Sequence, residues 1–341
     1  MEFIDELKKK FGQEVFTDST EVRSVIPTDS FALDISTGVG GIPIGRFITI
    51  YGPEGSGKTT LAICIAKNVV AGGGKVLYID VEQTLYDPLV ANIVGESAVG
   101  VTFITARPET AEQALSMAEE SIRSGEFNLI VFDSVGAMAP KKELDDDLGD
   151  KNYALAARLV SNFLRRNAFK VRTEECTFIF INQVRDKIGG NSPFKTYEQP
   201  GGHALKHYAS MVIKLFRGMK ILSKDKKIVE GIRIKFFIEK NKVGPPYREF
   251  TFPITKWGSG VDSTFDLIEF ASMLGVISTR GPYKVFNGET LGLGMVKTKE
   301  ALEKDKVLLD KIEELCYNTV GVTALPKFEV EDVVDGKATG S

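Results

Sequence analysis

The sequence predicts an α/β protein built on a mostly parallel sheet flanked by helices. Three observations carry that expectation. Short apolar runs without alternation, RFITIYG, KVLYIDV, VTFITA, LIVFDSV and CTFIFIN, read as strands buried on both faces. Helix-like stretches such as TLAICIAKNVV and AEQALSMAEESIRSG lie between them, as parallel crossovers require. A glycine-rich turn, GPEGSGKT, joins the first of these strands directly to the first of these helices.

Length and composition bound the rest. A chain of 341 residues has room for about two domains. With 43% hydrophobic and 26% charged residues it reads as globular, and collagen-like or disordered classes are excluded. The 43 basic and 46 acidic residues leave a net charge of −3, so nucleic-acid binding would have to come from local patches. No apolar run approaches the roughly 18 residues of a membrane span, and MEFIDELKKK lacks a signal peptide's design, so the expected location is the cytoplasm. Cys64, Cys176 and Cys316 are widely spaced and odd in number, which rules out a disulfide framework and favours buried thiols.

Taken in order, residues 1–12 have helical spacing, with Phe3, Ile4, Leu7 and Phe11 as an apolar stripe. So short a helix either caps its own domain or packs on a neighbouring subunit, the second being favoured. After the parallel strands, MVIKLFRGMKIL and GIRIKFFIEKNKV alternate and read as an antiparallel hairpin turning at SKDKK. Beyond Gly260, FDLIEFASMLGV and KEALEKDKVLLDKIEELCYNTV read as two helical segments around a YKVFNGETLG hairpin, a small α+β unit. The aperiodic end, LPKFEVEDVVDGKATGS, reads as a loose tail.

Gly52-Pro53-Glu54-Gly55-Ser56-Gly57-Lys58-Thr59 fits G-x-x-x-x-G-K-[ST] in the strand-to-helix context that the motif needs. Its backbone N–H groups and helix N-terminus suit phosphate oxygens, Lys58 reaches the β and γ phosphates, and Thr59 offers a hydroxyl to Mg²⁺. Asp133, at the end of LIVF, suits a hold on the Mg²⁺ water with help from Ser134, or else a helix cap. Glu82, after KVLYID, can polarise a water for attack on the γ-phosphate, with Asp80 as competitor and a solvated loop acid as the plain alternative. Gln183 ends another apolar strand, where an amide can sense a γ-phosphate and pull on the segment beyond it.

That segment, VRDKIGGNSPFKTYEQPGGH, runs for about twenty residues without helical or strand period. Arg185, Lys187 and Lys195 could meet phosphates, Phe194 and Tyr197 could stack, and Gly201 and Gly202 permit close backbone approach. This mixture suits single-stranded nucleic acid, or an ordinary lid loop. A second interruption, KKELDDDLGDKNYALAAR, precedes a helix with Arg158, Arg165 and Arg166; its acids Asp145, Asp146 and Asp147 read as a solvated face. His203 and His207 share a helix face without a third metal ligand in sequence. Lys240 and Lys242 end a strand, either as a surface hairpin end or as charge delivered to a phosphoryl group in a neighbouring subunit.

GPEGSGKTT, IDVE, LIVFDSV, LGDKNYALAAR, FINQVRDKIG, GGHALKHYAS and EKNKVGPP occur in the order and approximate spacing of the bacterial RecA recombinase family, which the chain resembles over nearly its whole length. The resemblance implies a RecA-type P-loop core over 31–260, a short N-terminal oligomerisation arm over 1–30, a small C-terminal α+β domain over 261–327 and a flexible tail over 328–341. It implies a DNA-dependent ATPase that forms a helical filament on single-stranded DNA, with nucleotide between subunits, and exchanges strands with homologous duplex DNA. ATP and Mg²⁺ are the expected ligands, and a single-strand-binding protein and loader proteins the expected accessory partners.

Carried over by motif, residues 52–60, including Thr60, would bind nucleotide with Asp133 and Ser134. Thr59 and Asp133 would hold the metal, Glu82 would activate water, and Gln183 would couple the γ-phosphate to DNA. Lys240 and Lys242 match the pair that reaches ATP across the subunit interface. The DNA loops would be roughly 144–153 and 184–202, with Tyr153, Arg158, Arg165, Arg185, Lys187, Phe194, Lys195, Gly201, Gly202 and His203 near DNA.

The chain departs from the family in its shorter N-terminal helix and short acidic tail. His207 stands where the family has a buried aromatic, and Val90 where the family has an aromatic near adenine. Tyr86 or Trp257 would then stack on the base, with Asp87 nearby. A ring-forming translocase and a nucleotide-switched DNA scaffold remain rival readings of the same residues.

Overall fold

The computed structural model describes residues 2–12, 22–145, 153–186, 197–198, 202–223 and 227–330. In chain order these form α1 (Glu2–Phe11), β1 (Val25–Ile26), α2 (Phe31–Thr37), β2 (Ile42–Pro43), β3 (Phe47–Gly52), α3 (Lys58–Ala71), β4 (Val76–Asp80), α4 (Asp87–Val94), β5 (Phe103–Ala106) and α5 (Ala111–Ser124). Next come β6 (Leu129–Asp133), α6 (Lys141–Asp145), α7 (Tyr153–Thr173), β7 (Thr177–Gln183), β8 (Arg185–Asp186), β9 (Tyr197–Glu198), α8 (Gly202–Tyr208), β10 (Met211–Leu222), β11 (Val229–Asn241) and β12 (Glu249–Ile254). The chain closes with α9 (Ser263–Met273), β13 (Ser278–Arg280), β14 (Tyr283–Phe286), β15 (Glu289–Leu293), α10 (Gly294–Leu302) and α11 (Lys306–Val320).

The main sheet has the order β12-β11-β10-β3-β7-β6-β4-β5. Its strands from β10 to β5 are parallel, and β11 and β12 add an antiparallel flank. Side chains alternate between two cores, as the strand repeat dictates. Ile48, Ile50, Val131, Ile179 and Ile181 face α3, whereas Phe47, Ile130, Phe132, Phe178 and Phe180 face α5 and α7. On the second face Phe163 of α7 meets Phe178 at a centroid distance of 5.3 Å and Phe47 at 6.3 Å edge-on. Large rings thus fill the gap between helix and sheet.

This strand order places a topological switch at β3. The chain leaves β3 through α3 and crosses past β7 and β6 to reach β4, so the carboxyl ends of β3, β7, β6 and β4 open on one crevice. Register aligns Gly52 with Gln183 and Asp80 with Asp133.

The C-terminal region shares the first core. Ile268, Leu302, Ile312 and Cys316 pack in one cluster with α3 residues, and Phe31 of α2 lies edge-on to Phe270 at 5.7 Å and Tyr317 at 5.2 Å. Two features differ from the sequence expectation. The KEALEKDKVLLDKIEELCYNTV stretch is two helices, because the Asp305 side chain caps α11 by accepting from Leu308 N at 3.0 Å. The hairpin is a three-stranded sheet, since β13 also pairs with β14.

The aperiodic end is held further than its sequence suggests. Phe328 N donates to Val25 O at 2.8 Å and Val330 N to Gly72 O at 2.8 Å, with the Phe328 ring buried against the core; residues 331–341 lie outside the described residues. At the other end Val25 and Ile26, which sequence grouped with the arm, are buried in the body. In α1, Phe3 and Ile4 are 70% and 53% exposed, a stripe left to solvent in the single chain.

One buried carboxyl joins α9 to α2. Asp266 Oδ2 accepts from Ser30 Oγ at 2.8 Å and Ala32 N at 3.0 Å, while Oδ1 has no hydrogen-bond partner among the described residues. Burial lifts this carboxyl to about 7, against the pull of the Ala32 and Ser30 bonds. Because the folded chain holds the proton more tightly than the unfolded one, the group's contribution is full below the ordinary carboxylate range and is lost as pH rises through 7. Relative to wild type, Asp266→Asn should therefore gain about 1–2 kcal/mol of unfolding free energy between pH 5.5 and 8. Denaturant titration at both pH values checks this; an unchanged gap would show that Asp266 does not titrate there.

Candidate functional site

The glycine-rich turn occupies the crevice above β3. Gly55 and Gly57 have φ of 66° and 82°, where a side chain would be strained, and a Cβ on Gly52 would lie 2.2 Å from Leu215 O of β10. The turn delivers Lys58 to the first turn of α3, nearly buried, with Nζ donating to Gly52 O at 3.1 Å and Pro53 O at 2.9 Å. Burial lowers the proton affinity of Lys58, while Asp133, Glu82 and Glu54 act to restore it.

The acids approach from the neighbouring strands. Asp133 Oδ2 accepts from Thr59 Oγ1 at 2.9 Å and from the buried Tyr78 hydroxyl at 2.5 Å. The residue that precedes the short helix Val135–Ala137 is Ser134, whose side chain makes no cap bond, and the Asp133 bonds go to Thr59 and Tyr78. Burial raises Asp133 to about 6, opposed by the Tyr78 and Thr59 bonds and assisted by the Glu82 and Asp80 charges. Glu82 Oε1 accepts from Gln183 Nε2 at 2.8 Å and from Ser134 Oγ. Asp80, at the end of β4, is buried and already engaged: it accepts from Thr84 N and Leu85 N and pairs with Arg107 at 3.4 Å, whereas Glu82 bonds Gln183 and Ser134.

A cavity of about 220 Å³ adjoins the turn, lined by Gly55 through Thr60 and walled by Leu89, Ile232, Ile234, Ile254, Trp257 and Gly258. Its polar floor and apolar wall suit a phosphate-bearing ligand with a flat ring. Trp257 is 87% exposed at its rim. Tyr86, also exposed, does not line this cavity, and Asp87 is engaged by Arg107 at 3.0 Å. Sequence reading missed the isoleucine wall and Tyr78. Both lie inside strands and come to the site only through pairing, so no local motif marks them.

The lysine pair stands apart from this crevice. Lys240 pairs with Val212, which pairs with Thr49, two strands across and three residues back from Gly52. Its Nζ donates to Lys206 O at 2.5 Å and His207 O at 2.9 Å at the end of α8, on the face opposite α3. Burial, with repulsion from Lys242 and Lys206, brings the Lys240 ammonium down to about 8.

On α7, Arg158 and Arg165 are seven residues apart and both exposed, so they share one outer face; Arg165 reaches Asn162 at 3.0 Å. Arg166 turns away to pair with Glu119 at 2.8 Å. The aperiodic segment opens and closes with a two-residue ribbon in which Arg185 pairs with Glu198 and Asp186 with Tyr197. Tyr153 begins α7, and Gly202 and the exposed His203 begin α8. Lys187, Phe194, Lys195 and Gly201 lie outside the described residues, as do Asp146 and Asp147. No group of three metal-ligating side chains occurs among the described residues, and His207 packs edge-on to Tyr208 at 5.4 Å. All three cysteines are buried, their thiols pushed up to about 12 by desolvation, and so inert at neutral pH.

The family model of the RecA N-terminal domain matches residues 2–262. The chain belongs to the RecA family. Among its relatives, protein RecA of Clostridioides difficile is 38% identical over 320 residues, covering 92% of this chain and 89% of the relative. Protein RecA of Bacteroides thetaiotaomicron is 39% identical over 324 residues, covering 93% and 95%. A crystal structure of the RadB recombinase shares the fold, with a TM-score of 0.51 over 70% of this chain and 98% of that one at 21% identity. RecA family membership accounts for the mostly parallel sheet, the nucleotide-binding turn and a DNA-dependent ATPase activity in recombination. Among the described residues no helix is long and apolar enough to cross a membrane.

Proposed function

We propose that this chain is a DNA-dependent ATPase and homologous recombinase that assembles as a helical filament on single-stranded DNA and exchanges strands with homologous duplex. The observation that carries the reading is the shared crevice in which the phosphate turn, Asp133, Glu82 and Gln183 meet at neighbouring strand ends.

In this reading residues 52–60 cradle the ATP phosphates, with N–H groups and the α3 N-terminus facing the anion. Thr59 and Asp133 offer hard oxygen donors 2.9 Å apart, a set that suits an ion keeping several waters, and so would hold Mg²⁺ with Ser134 beside them. Bound there, Mg²⁺ would neutralise charge on the phosphate oxygens. Glu82 takes the proton of the attacking water, held ready by Gln183 and Ser134. Trp257, at the cavity rim, is the better placed aromatic for the adenine ring, and Tyr86 and Asp87 stand at the start of α4 outside the cavity lining.

Lys240 and Lys242 complete the site of a neighbouring subunit, since their own phosphate turn lies on another face. The exposed stripe of α1 would dock on that neighbour. Arg158 and Arg165, with the 144–153 and 184–202 segments that include Tyr153, Arg185 and Gly202, and with His203 directly after them, serve DNA. A single-strand-binding protein and loaders are the proposed accessory partners.

Gln183 joins nucleotide to DNA, because one side chain bonds the Glu82 base while its strand leads straight into the 184–202 segment. ATP hydrolysis should be measured in Mg²⁺ with and without long single-stranded DNA at one stated ionic strength, since phosphate contacts weaken with salt. Wild type should be strongly stimulated. Gln183→Ala should keep unstimulated turnover within about threefold and lose about tenfold or more of the stimulation. Wild type that binds ATP without any response to DNA would overturn the reading.

A further inference from the structure

A bulge in β11 carries Glu239. Ile238 pairs with Ile213 and Lys240 with Val212, so Glu239 has no opposite residue on β10. An extra residue of this kind re-aims its neighbours. Here Glu239 and Lys240, adjacent along a strand, both reach α8. Glu239 Oε1 accepts from Lys206 Nζ at 2.6 Å and Oε2 from the Tyr51 hydroxyl at 2.6 Å. Tyr51 is buried and directly precedes Gly52 of the phosphate turn, and α8 begins where the 184–202 segment ends. The last carbonyls of that same helix hold Lys240 Nζ.

We propose that Glu239 is a positioning residue for the lysine pair: by tying Lys206 of α8 to Tyr51 of the phosphate-turn strand, it sets where Lys240 is presented to the neighbouring subunit's ATP. The inference rests on the shared-site reading of Lys240 and Lys242. Nothing in it requires Glu239 to touch nucleotide.

The charges around the cluster give the idea a signature. Lys206 of α8 and Lys242 beyond β11 face Lys240, whose ammonium also bonds the His207 carbonyl; Lys206, Tyr51 of β3 and Lys214 of β10 surround Glu239, one residue away. Burial would raise the Glu239 carboxyl, but the bonds from Lys206 and Tyr51 outweigh it and hold the group ionised. Lys206 already pushes the Lys240 ammonium down, and removing the carboxylate that holds Lys206 one residue away should add to that push, so that Lys240 loses its proton at lower pH.

The full chain on single-stranded DNA should be assayed for kcat/KM of ATP hydrolysis against pH, whose alkaline limb reports groups of the nucleotide-free protein. Glu239→Gln should lose about tenfold at neutral pH through misplacement of the cation and move the alkaline limb down by about half a unit. Adding Lys206→Met should return the limb toward wild type, because the pressing cation is gone. Simple structural damage would instead deepen with the second change, and that outcome would overturn the proposal, as would wild-type rate and limb in Glu239→Gln. Lys240→Ala run beside them separates the two ideas. If it keeps DNA-stimulated turnover, the shared-site reading fails and this inference with it; if it is inactive while Glu239→Gln matches wild type, only this inference fails.

Discussion

Lys58→Ala is expected to lose about a thousandfold in ATP turnover, and with it nucleotide-dependent binding to single-stranded DNA. The ammonium sits at the start of α3 with Asp133 and Glu82 acting to keep its proton despite burial. Phosphate oxygens arriving over the turn would draw it from the Gly52 and Pro53 carbonyls, so its bonds strengthen where charge accumulates. Alanine removes the one cation that the subunit's own phosphate turn supplies to that charge. Steady-state hydrolysis and fluorescence anisotropy of labelled DNA, beside a melting curve to confirm folding, are the checks. Filaments that still form in an ATP-dependent way would sink the site assignment.

Lys242→Ala should lose about a hundredfold or more of DNA-stimulated turnover, the scale on which a cation supplied from a neighbour acts, while isolated subunits still bind ATP. The decisive measurement mixes it with Lys58→Ala. One variant keeps its phosphate turn and the other its lysine pair, so in a random equimolar polymer about a quarter of the interfaces carry both intact halves. Turnover recovering toward that fraction would support sites shared between subunits. Co-assembled filaments without recovery would remove Lys242 from the reaction.

The parallel strands and the phosphate turn were legible in the sequence because each is local: a buried strand is an apolar run, and the turn is a fixed string flanked by the elements it needs. Asp133 and Gln183 were legible for the same reason, as polar residues ending apolar runs. Tyr78, Glu239 and the isoleucines of the cavity wall were not. Tyr78 reaches Asp133 only because β4 pairs with β6, and Ile234 reaches the turn only because β11 folds back beside β10. The break between α10 and α11 was hidden in a charged run whose Asp305 reads equally as helix interior or cap.

The separation of Lys240 from Gly52 on the sheet would, in the shared-site reading, give each subunit two unlike sides, one that receives and one that gives. In the shared-site reading an open chain of n copies contains n − 1 complete reaction centres. One terminal copy has a turn that no neighbour completes, and the other has lysines with nothing to complete. Turnover per copy should therefore rise with polymer length and level off. The two tips would age differently, one tip keeping its nucleotide while the rest of the polymer spends it.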